Sequence, residues 1–381
     1  MGARYIYDLN KDELETYLVS IGGQKYRAAQ IFSALGVGKD FEKINIPKEL
    51  KEKISADFYT SLPKVVQKYV SRDGTLKFLL ELRDKELVET VLLKQDYGNT
   101  VCVSSQVGCA MGCKFCASGA DGLVRNLSAG EMLAQVLLVA ASSAESNSAA
   151  NVAALSNRSM IGTHQSLHVV IMGSGEPFDN FDNTIKFLRL LSCSGGINIG
   201  ARNISISTSG IVPKIREFAD LKLQVNLCIS LHAPNDTIRR SIMPVANAYL
   251  IADLIPAAKY FFEKTKRRVI FEYSLIDGVN CEVRHAEELA KLLRGFPAHV
   301  NLINLNPVAF QPKNDLEAGD IQGKKALHPP SRAVGLKFMD TLIKSGISCT
   351  MRKNRGDDIA AACGQLVARA KNETLNEKLE T

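Results

Sequence analysis

Apolar positions recur at helical spacing through the first sixty residues and then switch to strand alternation. Leu14, Tyr17, Leu18 and Ile21 lie three and four residues apart behind Asn10, which can form a capping box with Glu13, and Gly22-Gly23 closes that helix. Ala28, Ile31, Phe32 and Leu35 mark a second helix, and a third opens at Pro47 with Leu50, Ile54 and Phe58 along one side. Residues 1–62 are thus expected to form a small N-terminal helical accessory domain. Short alternating segments at 65–70, 76–82, 87–93 and 100–104, with Arg72-Asp73-Gly74 as a turn, predict hairpins, so that 63–94 read as a β-hairpin extension.

Beyond residue 120 strands and helices alternate. Helices are predicted over 128–144, 180–192, 211–220, 247–263, 282–293 and 331–344, and strands over 167–172, 202–208, 223–230, 268–275, 299–304 and 347–351. Such alternation implies an α/β protein with a parallel sheet, doubly wound or barrel-like. The core is expected to span 95–357, with 358–381 as a C-terminal segment. Two stretches break the rhythm: the small polar residues 142–165 read as a surface insertion, and 310–331, with Lys324-Lys325 and Pro329-Pro330, form a long connection.

Composition narrows the class. A chain of 381 residues that is 46% hydrophobic can bury a sizeable core. It has no apolar run of about 18 residues and no signal-peptide layout at Met1-Gly-Ala-Arg-Tyr-Ile, which leads us to expect a cytoplasmic protein with no membrane partner. A formal charge of +7 permits nucleic-acid binding without requiring it. Nine cysteines, an odd number concentrated on one loop, do not suit a secreted disulfide framework, and Cys193, Cys228, Cys281 and Cys349 read as packing residues.

The concentration is the main chemical signal. Cys109, Cys113 and Cys116 fall within eight residues just after a strand-like run. A structural zinc site takes four Cys or His ligands, and no second pair lies nearby to complete one. An iron-sulfur cluster suits three thiolates better, because the fourth iron stays open for a substrate or cosubstrate. Within 87–93, Glu89 shares a face with Leu87, Val91 and Leu93, and a carboxylate on an apolar strand face needs a partner or a purpose. Polar groups also collect where strands end, at Met172 to Pro177 with Gly175 and Glu176, at Ser207 to Gly210, at Ser230-Leu231-His232, and at Asn306. Taken singly each suits a turn or cap, but in a barrel these ends form one face. The tail Arg352 to Leu366 holds Cys363 among small residues that leave the thiol accessible; a buried structural cysteine would look the same.

The Cys-x-x-x-Cys-x-x-Cys spacing, with Phe115 before the last cysteine, resembles the radical S-adenosylmethionine (SAM) superfamily. Cys102, seven residues ahead of Cys109, together with the Ala361-Ala-Cys363-Gly-Gln-Leu366 string, is similar to its RlmN/Cfr RNA methyltransferase branch, over nearly the whole chain. The resemblance implies a partial (β/α)6 TIM-like barrel of the radical SAM type. It implies one 4Fe-4S cluster on Cys109, Cys113 and Cys116, and SAM held by Gly175, Glu176, Ser207, Ser230, Leu231, His232 and Asn306. Cys363 would carry the methyl group, Cys102 would resolve a covalent RNA adduct by forming a disulfide with it, and Glu89 would be the proton acceptor. Flavodoxin or ferredoxin is the reductant the family uses, and a monomer is expected.

Arg355-Gly-Asp-Asp358 and Gly175-Glu-Pro177 match the RlmN pattern, which implies methylation of adenine C2 in 23S rRNA, at a peptidyl transferase centre adenosine, and in tRNA 3′ of the anticodon. A Cfr-type C8 methyltransferase and, in a different class, a non-enzymatic zinc-stabilised RNA-binding protein are the alternatives. Ser174, Ala360 and Cys281 stand where the family commonly carries Met, an acidic residue and Asp. Lys264, Lys266, Arg267, Arg268, Arg352, Lys353 and Arg355 could meet RNA phosphates, although a solvated basic face is the default account of such runs.

Overall fold

A computed structural model of the chain describes residues 4–145, 166–306 and 327–366. Most of the two irregular stretches predicted at 142–165 and 310–331 lies outside the described residues; 142–145 continue a helix.

The N-terminal helices form as their spacing requires. Strand β1 (Arg4–Tyr5) pairs in parallel with β2 (Phe58–Tyr59), bracketing α1 (Lys11–Ser20), α2 (Tyr26–Gly36) and α3 (Lys48–Asp57). The predicted capping box is present: Asn10 Oδ1 accepts from Glu13 N at 2.9 Å and Glu13 Oε2 accepts from Asn10 N at 2.8 Å. Leu14, Leu18, Ala28, Ile31, Phe32, Leu35, Leu50 and Ile54 are buried, and they share one continuous apolar core with the rest of the molecule.

A meander of four antiparallel strands follows: β3 (Lys64–Val70), β4 (Leu76–Glu81), β5 (Leu87–Gln95) and β6 (Gly98–Val103). Strand β6 is also the first parallel strand, pairing on its other side with β9 (Ser166–Ile171). Between them lie a short antiparallel pair, β7 (Gln106–Gly108) and β8 (Leu123–Asn126), and helix α4 (Ala129–Glu145). The chain then runs through α5 (Phe181–Ser192), β10 (Ile204–Thr208), α6 (Val212–Asp220), β11 (Asn226–Ser230), α7 (Asp236–Ile242) and α8 (Ile251–Thr265). It finishes with β12 (Val269–Leu275), α9 (Val283–Leu292), β13 (Ala298–Asn304), α10 (Arg332–Lys344) and β14 (Ser348–Met351).

Six strand-helix units and a closing strand make a parallel sheet that β3 to β5 extend to ten strands. Its edges, β14 and β3, do not pair, so the barrel is open. The predicted alternation is realised, with one addition: α7 follows β11 where the sequence reading placed only irregular chain before a helix at 247–263. Among the described residues no helix is long and apolar enough to cross a membrane.

The two faces of the parallel sheet differ in chemistry. Val101, Val103, Val169, Ile171, Ile204, Ile206, Leu227, Ile229, Phe271, Tyr273, Val300 and Leu302 are at most 1% exposed and pack under the helices. The alternate positions carry Cys102, Ser207, Cys228, Ser230, Glu272 and Asn301, which the strand registers bring to the opposite face. A parallel strand usually reads apolar on both faces. Here the second face is mixed, with Val170 and Ile270 beside the polar side chains.

A candidate active site at the strand ends

The cysteine loop leaves the end of β6 and folds back on itself. Gly108 has φ +75°, and any Cβ there would overlap the Gly122 carbonyl, so only glycine lets β7 approach this closely. Cys109 N then donates to Gly122 O at 2.9 Å, Cys116 N to Cys113 O at 3.1 Å and Lys114 N to Ile242 O at 3.0 Å. Cys109 is buried, and Cys113 and Cys116 are half-buried. Burial pushes the Cys109 thiol up to about 12 and raises the other two, with the neighbouring thiols adding to the effect at Cys113. Such thiols need a bound cation to become thiolates.

The donor chemistry fits an iron-sulfur cluster. The loop offers three cysteines, one short of the four Cys or His ligands that structural zinc takes, whereas in a cubane each thiolate binds its own iron and the fourth iron stays open.

The tail lies directly on this loop. Ala117 N donates to Gly364 O at 2.7 Å, Ser118 Oγ to Leu366 O at 2.9 Å, and Asn306 Nδ2 to Cys363 O at 3.1 Å. Cys102 packs with Val91, Leu93, Ala361 and Leu366 in a small separate apolar cluster. The tail segment that carries the half-buried Cys363 thereby packs on the buried Cys102, 261 positions earlier in the chain.

A clamp holds the tail from the hairpin side. Asp358 Oδ1 accepts from Ser71 Oγ at 2.6 Å and its Oδ2 from Arg72 N at 3.1 Å, while Asp73 Oδ2 accepts from Gly356 N at 3.1 Å. Backbone and hydroxyl donors offset burial and hold the Asp73 carboxyl down to about 2. Beside them Glu89 is 6% exposed and ion-paired with Lys77, whose Nζ also donates to Ala360 O at 3.4 Å. The predicted partner of Glu89 is this lysine.

The strand-end residues divide into those that face the site and those that build it. Gly175 has φ +107°, and a Cβ there would lie 2.6 Å from Gln106 Cβ, so the loop after β9 can approach β7 only through glycine. Glu176 also ties this loop to the one after β10: its oxygens accept from Phe178 N at 2.9 Å and Ser209 N at 2.6 Å. Burial pushes this carboxyl up and those amides pull it back. Each oxygen retains a second lone pair, so further acceptance remains open to it. Ser207 and Ser230 lie side by side, Oγ to Oγ 3.5 Å. The Leu231 side chain is in the apolar core, and its N–H donates to Glu272 O at 3.1 Å. His232 is buried at φ +53°; its Nδ1 accepts from Ser274 N at 2.9 Å, which leaves Nε2 protonated, and its ring meets Phe115 edge-on at 4.7 Å. Burial, with the Arg239 charge, lowers its pKa to about 3, so it stays neutral. Asn306 holds Cys363 and accepts from Asn354, and is thus tied to the tail as much as to a ligand.

Sequence reasoning missed Arg239. Fully buried on α7, it donates to the carbonyls of Leu231, Ser209, Tyr249 and Ser230 and so pins the loops after β10 and β11. The Asn235 cap that starts α7 was the available signal. The basic residues fall in two places. Lys264, Lys266, Arg267 and Arg268 precede β12, at the end of the barrel away from the site, and Arg352 turns inward, which leaves Lys353 and Arg355 on the tail side.

The chain is similar to known proteins along almost its full length. Residues 158–293, beginning after the three cysteines, match the model of the Radical SAM superfamily. Proteins named "Probable dual-specificity RNA methyltransferase RlmN" from Bacillus licheniformis and Clostridium novyi are 46% and 44% identical over 371 and 365 residues. These alignments cover 97% and 95% of this chain and 94% and 97% of theirs. The counterpart from Bacillus subtilis is 44% identical over 371 residues, 97% of this chain and 94% of its own. The crystal structure of a radical SAM methyltransferase from Sphaerobacter thermophilus superposes with a TM-score of 0.85 at 41% identity, covering 96% of this chain and all of that one.

Proposed function

The chain belongs to the RlmN family of radical SAM RNA methyltransferases, and we propose that within it the enzyme methylates C2 of adenine, in 23S rRNA at the peptidyl transferase centre and in tRNA 3′ of the anticodon. The family uses a 4Fe-4S cluster and SAM, and its substrate is RNA. The convergence of the Cys363 tail on both the cysteine loop and Cys102 supports methyl transfer through two cysteines, and the Arg355-Gly-Asp-Asp358 and Gly175-Glu-Pro177 strings favour C2 over C8.

An adenine C2 is not a nucleophile and cannot take a methyl group by displacement at a sulfonium. When bound, cluster and SAM supply one-electron cleavage of SAM, giving a radical able to take hydrogen from a methyl group. Cys109, Cys113 and Cys116 would hold three irons. Ser207, Ser230, the His232 Nε2–H and the glycine-opened backbone at Gly175 offer SAM its polar contacts. Cys363 carries the methyl group from a first SAM, and after hydrogen loss its methylene joins the adenine ring. Glu89, ion-paired with Lys77, takes the ring proton, and the unpaired electron left on the adduct would return to the oxidised cluster, so that the adduct becomes a closed-shell thioether. Cys102 then attacks the Cys363 sulfur and frees the methylated base, leaving a disulfide that must be reduced. A cytoplasmic monomer served by a flavodoxin or ferredoxin completes the proposal.

The test is anaerobic incubation of reconstituted protein with SAM, reductant and protein-free 23S rRNA or tRNA, followed by nucleoside mass spectrometry. The expected product is 2-methyladenosine, lost in Cys363→Ala and Cys102→Ala. Finding 8-methyladenosine would assign the Cfr-type reaction instead.

A further inference from the structure

Glu272 is a buried carboxyl to which the mechanism above gives no task. It is 4% exposed on β12, and the strand registers set it opposite Ser230 on one side and Asn301 on the other. Its backbone carbonyl accepts from Leu231 N at 3.1 Å and His232 N at 3.2 Å, so it stands at the level where β11 gives way to the His232 loop. Two residues further on, Ser274 N orients the His232 ring. Strand β12 thus carries Glu272 in among the side chains read above as contacts for SAM.

Only half of this carboxyl is engaged. Oε1 accepts from Asn301 Nδ2 at 3.2 Å, whereas Oε2 is buried and, among the described residues, nothing donates to it. The bond to Oε1 ends a chain whose directions are fixed. Thr350 Oγ1 donates to Asn301 Oδ1 at 2.9 Å, which commits its hydrogen and leaves its oxygen to accept from His299 Nε2 at 2.9 Å; His299 Nδ1 then accepts from Ser348 Oγ at 2.8 Å. Side chains on β13 and β14 therefore hold Oε1 and leave Oε2 as the open acceptor. On the other side, Ser230 Oγ and Ser207 Oγ lie 3.5 Å apart, at the limit of a hydrogen bond. A buried acceptor is costly to leave unmade, so this oxygen points to a donor on a ligand.

We propose that Glu272 Oε2 bonds a ribose hydroxyl of SAM, with Ser230 and Ser207 completing the wall that selects the sugar. This rests on the reading that SAM occupies the strand ends. SAM carries three kinds of donor. Its α-ammonium sits beside an α-carboxylate, which a buried carboxylate repels. Its adenine amino group only donates, and so meets the carboxyl in the ionised state alone. A ribose hydroxyl donates to a carboxylate and accepts from a carboxylic acid, and so meets Glu272 in either state. Burial pushes this carboxyl up while the Arg352 charge and the Asn301 bond oppose it, which makes that tolerance useful.

The test measures binding rather than turnover. Reconstituted, unreduced holoenzyme is equilibrated anaerobically with S-adenosylhomocysteine, which has no methyl group to transfer, and with its 2′-deoxy and 3′-deoxy analogues, and dissociation constants are read by equilibrium dialysis. The parent should bind one of the deoxy analogues about tenfold more weakly than the full ligand. Glu272→Leu, which fills much of the space with no acceptor, should bind S-adenosylhomocysteine about tenfold more weakly and no longer distinguish that analogue. Glu272→Gln, which keeps both an acceptor and a donor, should restore most of the affinity and the discrimination. A parent indifferent to both deoxy analogues, or Glu272→Leu with the parent's discrimination, overturns the proposal. Should Glu272→Leu not fold, Asn301→Leu takes its place: it removes the bond that orients the carboxyl and should shrink the discrimination, and an unchanged ratio overturns the proposal. A parent that holds its cluster yet binds no S-adenosylhomocysteine would instead sink the SAM site itself.

Discussion

Lys77 and Glu89 form a salt bridge of 2.9 Å across neighbouring strands with each side chain only 6% exposed, at the point where the hairpins meet the tail. Removing one member of a buried pair leaves an uncompensated charge, whereas replacing both with apolar groups is often neutral. Glu89→Ala should therefore lose about 3–5 kcal/mol in urea denaturation, and Lys77→Met with Glu89→Leu should regain most of it. A doubly substituted protein that folds yet leaves RNA unmethylated separates a chemical role for Glu89 from its structural one.

The clamp between hairpin turn and tail gives a second expectation. Asp358→Ala removes the acceptor for Ser71 Oγ and Arg72 N while leaving the barrel untouched. Trypsin should cut faster after Lys353 and Arg355, and methyl transfer onto Cys363 should slow. Unchanged cleavage kinetics would show that the tail is held by its contacts with the cysteine loop alone.

Gly108→Ala addresses the cysteine loop itself. Its Cβ would overlap the Gly122 carbonyl at a positive φ, a change that strains both backbone and contact. Iron incorporation and the visible absorption of the reconstituted protein should fall sharply while far-ultraviolet circular dichroism stays at the parent value, because the loop lies outside the main sheet.

His232 sets an acid limit. Burial depresses its pKa to about 3, below an unfolded value near 6.5, so the unfolded chain binds the extra proton between those pH values. Stability is then full above about pH 6.5 and falls by up to about 1.4 kcal/mol per pH unit as pH drops toward 3. His232→Asn keeps an acceptor for Ser274 N, tolerates φ +53°, and should flatten this part of the stability curve measured by denaturant titration.

Elements and ligand loop were legible because periodicity and spacing are local properties. The capping box at Asn10 and Glu13, the strand-helix alternation and the cysteine loop appear where the sequence places them. What was not legible is set by distant pairing. Glu89 needed a partner that only the β4 register supplies, Arg239 gains its purpose from carbonyls on two other loops, and Glu176 proved to be a brace between loops. Arg352 looked like one member of a basic run because neighbours in sequence say nothing about which face of a sheet a strand end turns to.

Strand β6 is antiparallel to β5 and parallel to β9, and this divides the molecule into interchangeable and fixed lengths. An insertion at the exposed turn around Asp96 and Tyr97 lengthens a loop and leaves both ladders in register. One residue added inside β6 would send Cys102 under the helices and bring Val101 or Val103 to the catalytic side. The hairpin module could thus be exchanged through that turn, whereas the few residues between it and the first cysteine of the loop form a reading frame in three dimensions, in which the count itself places the thiol.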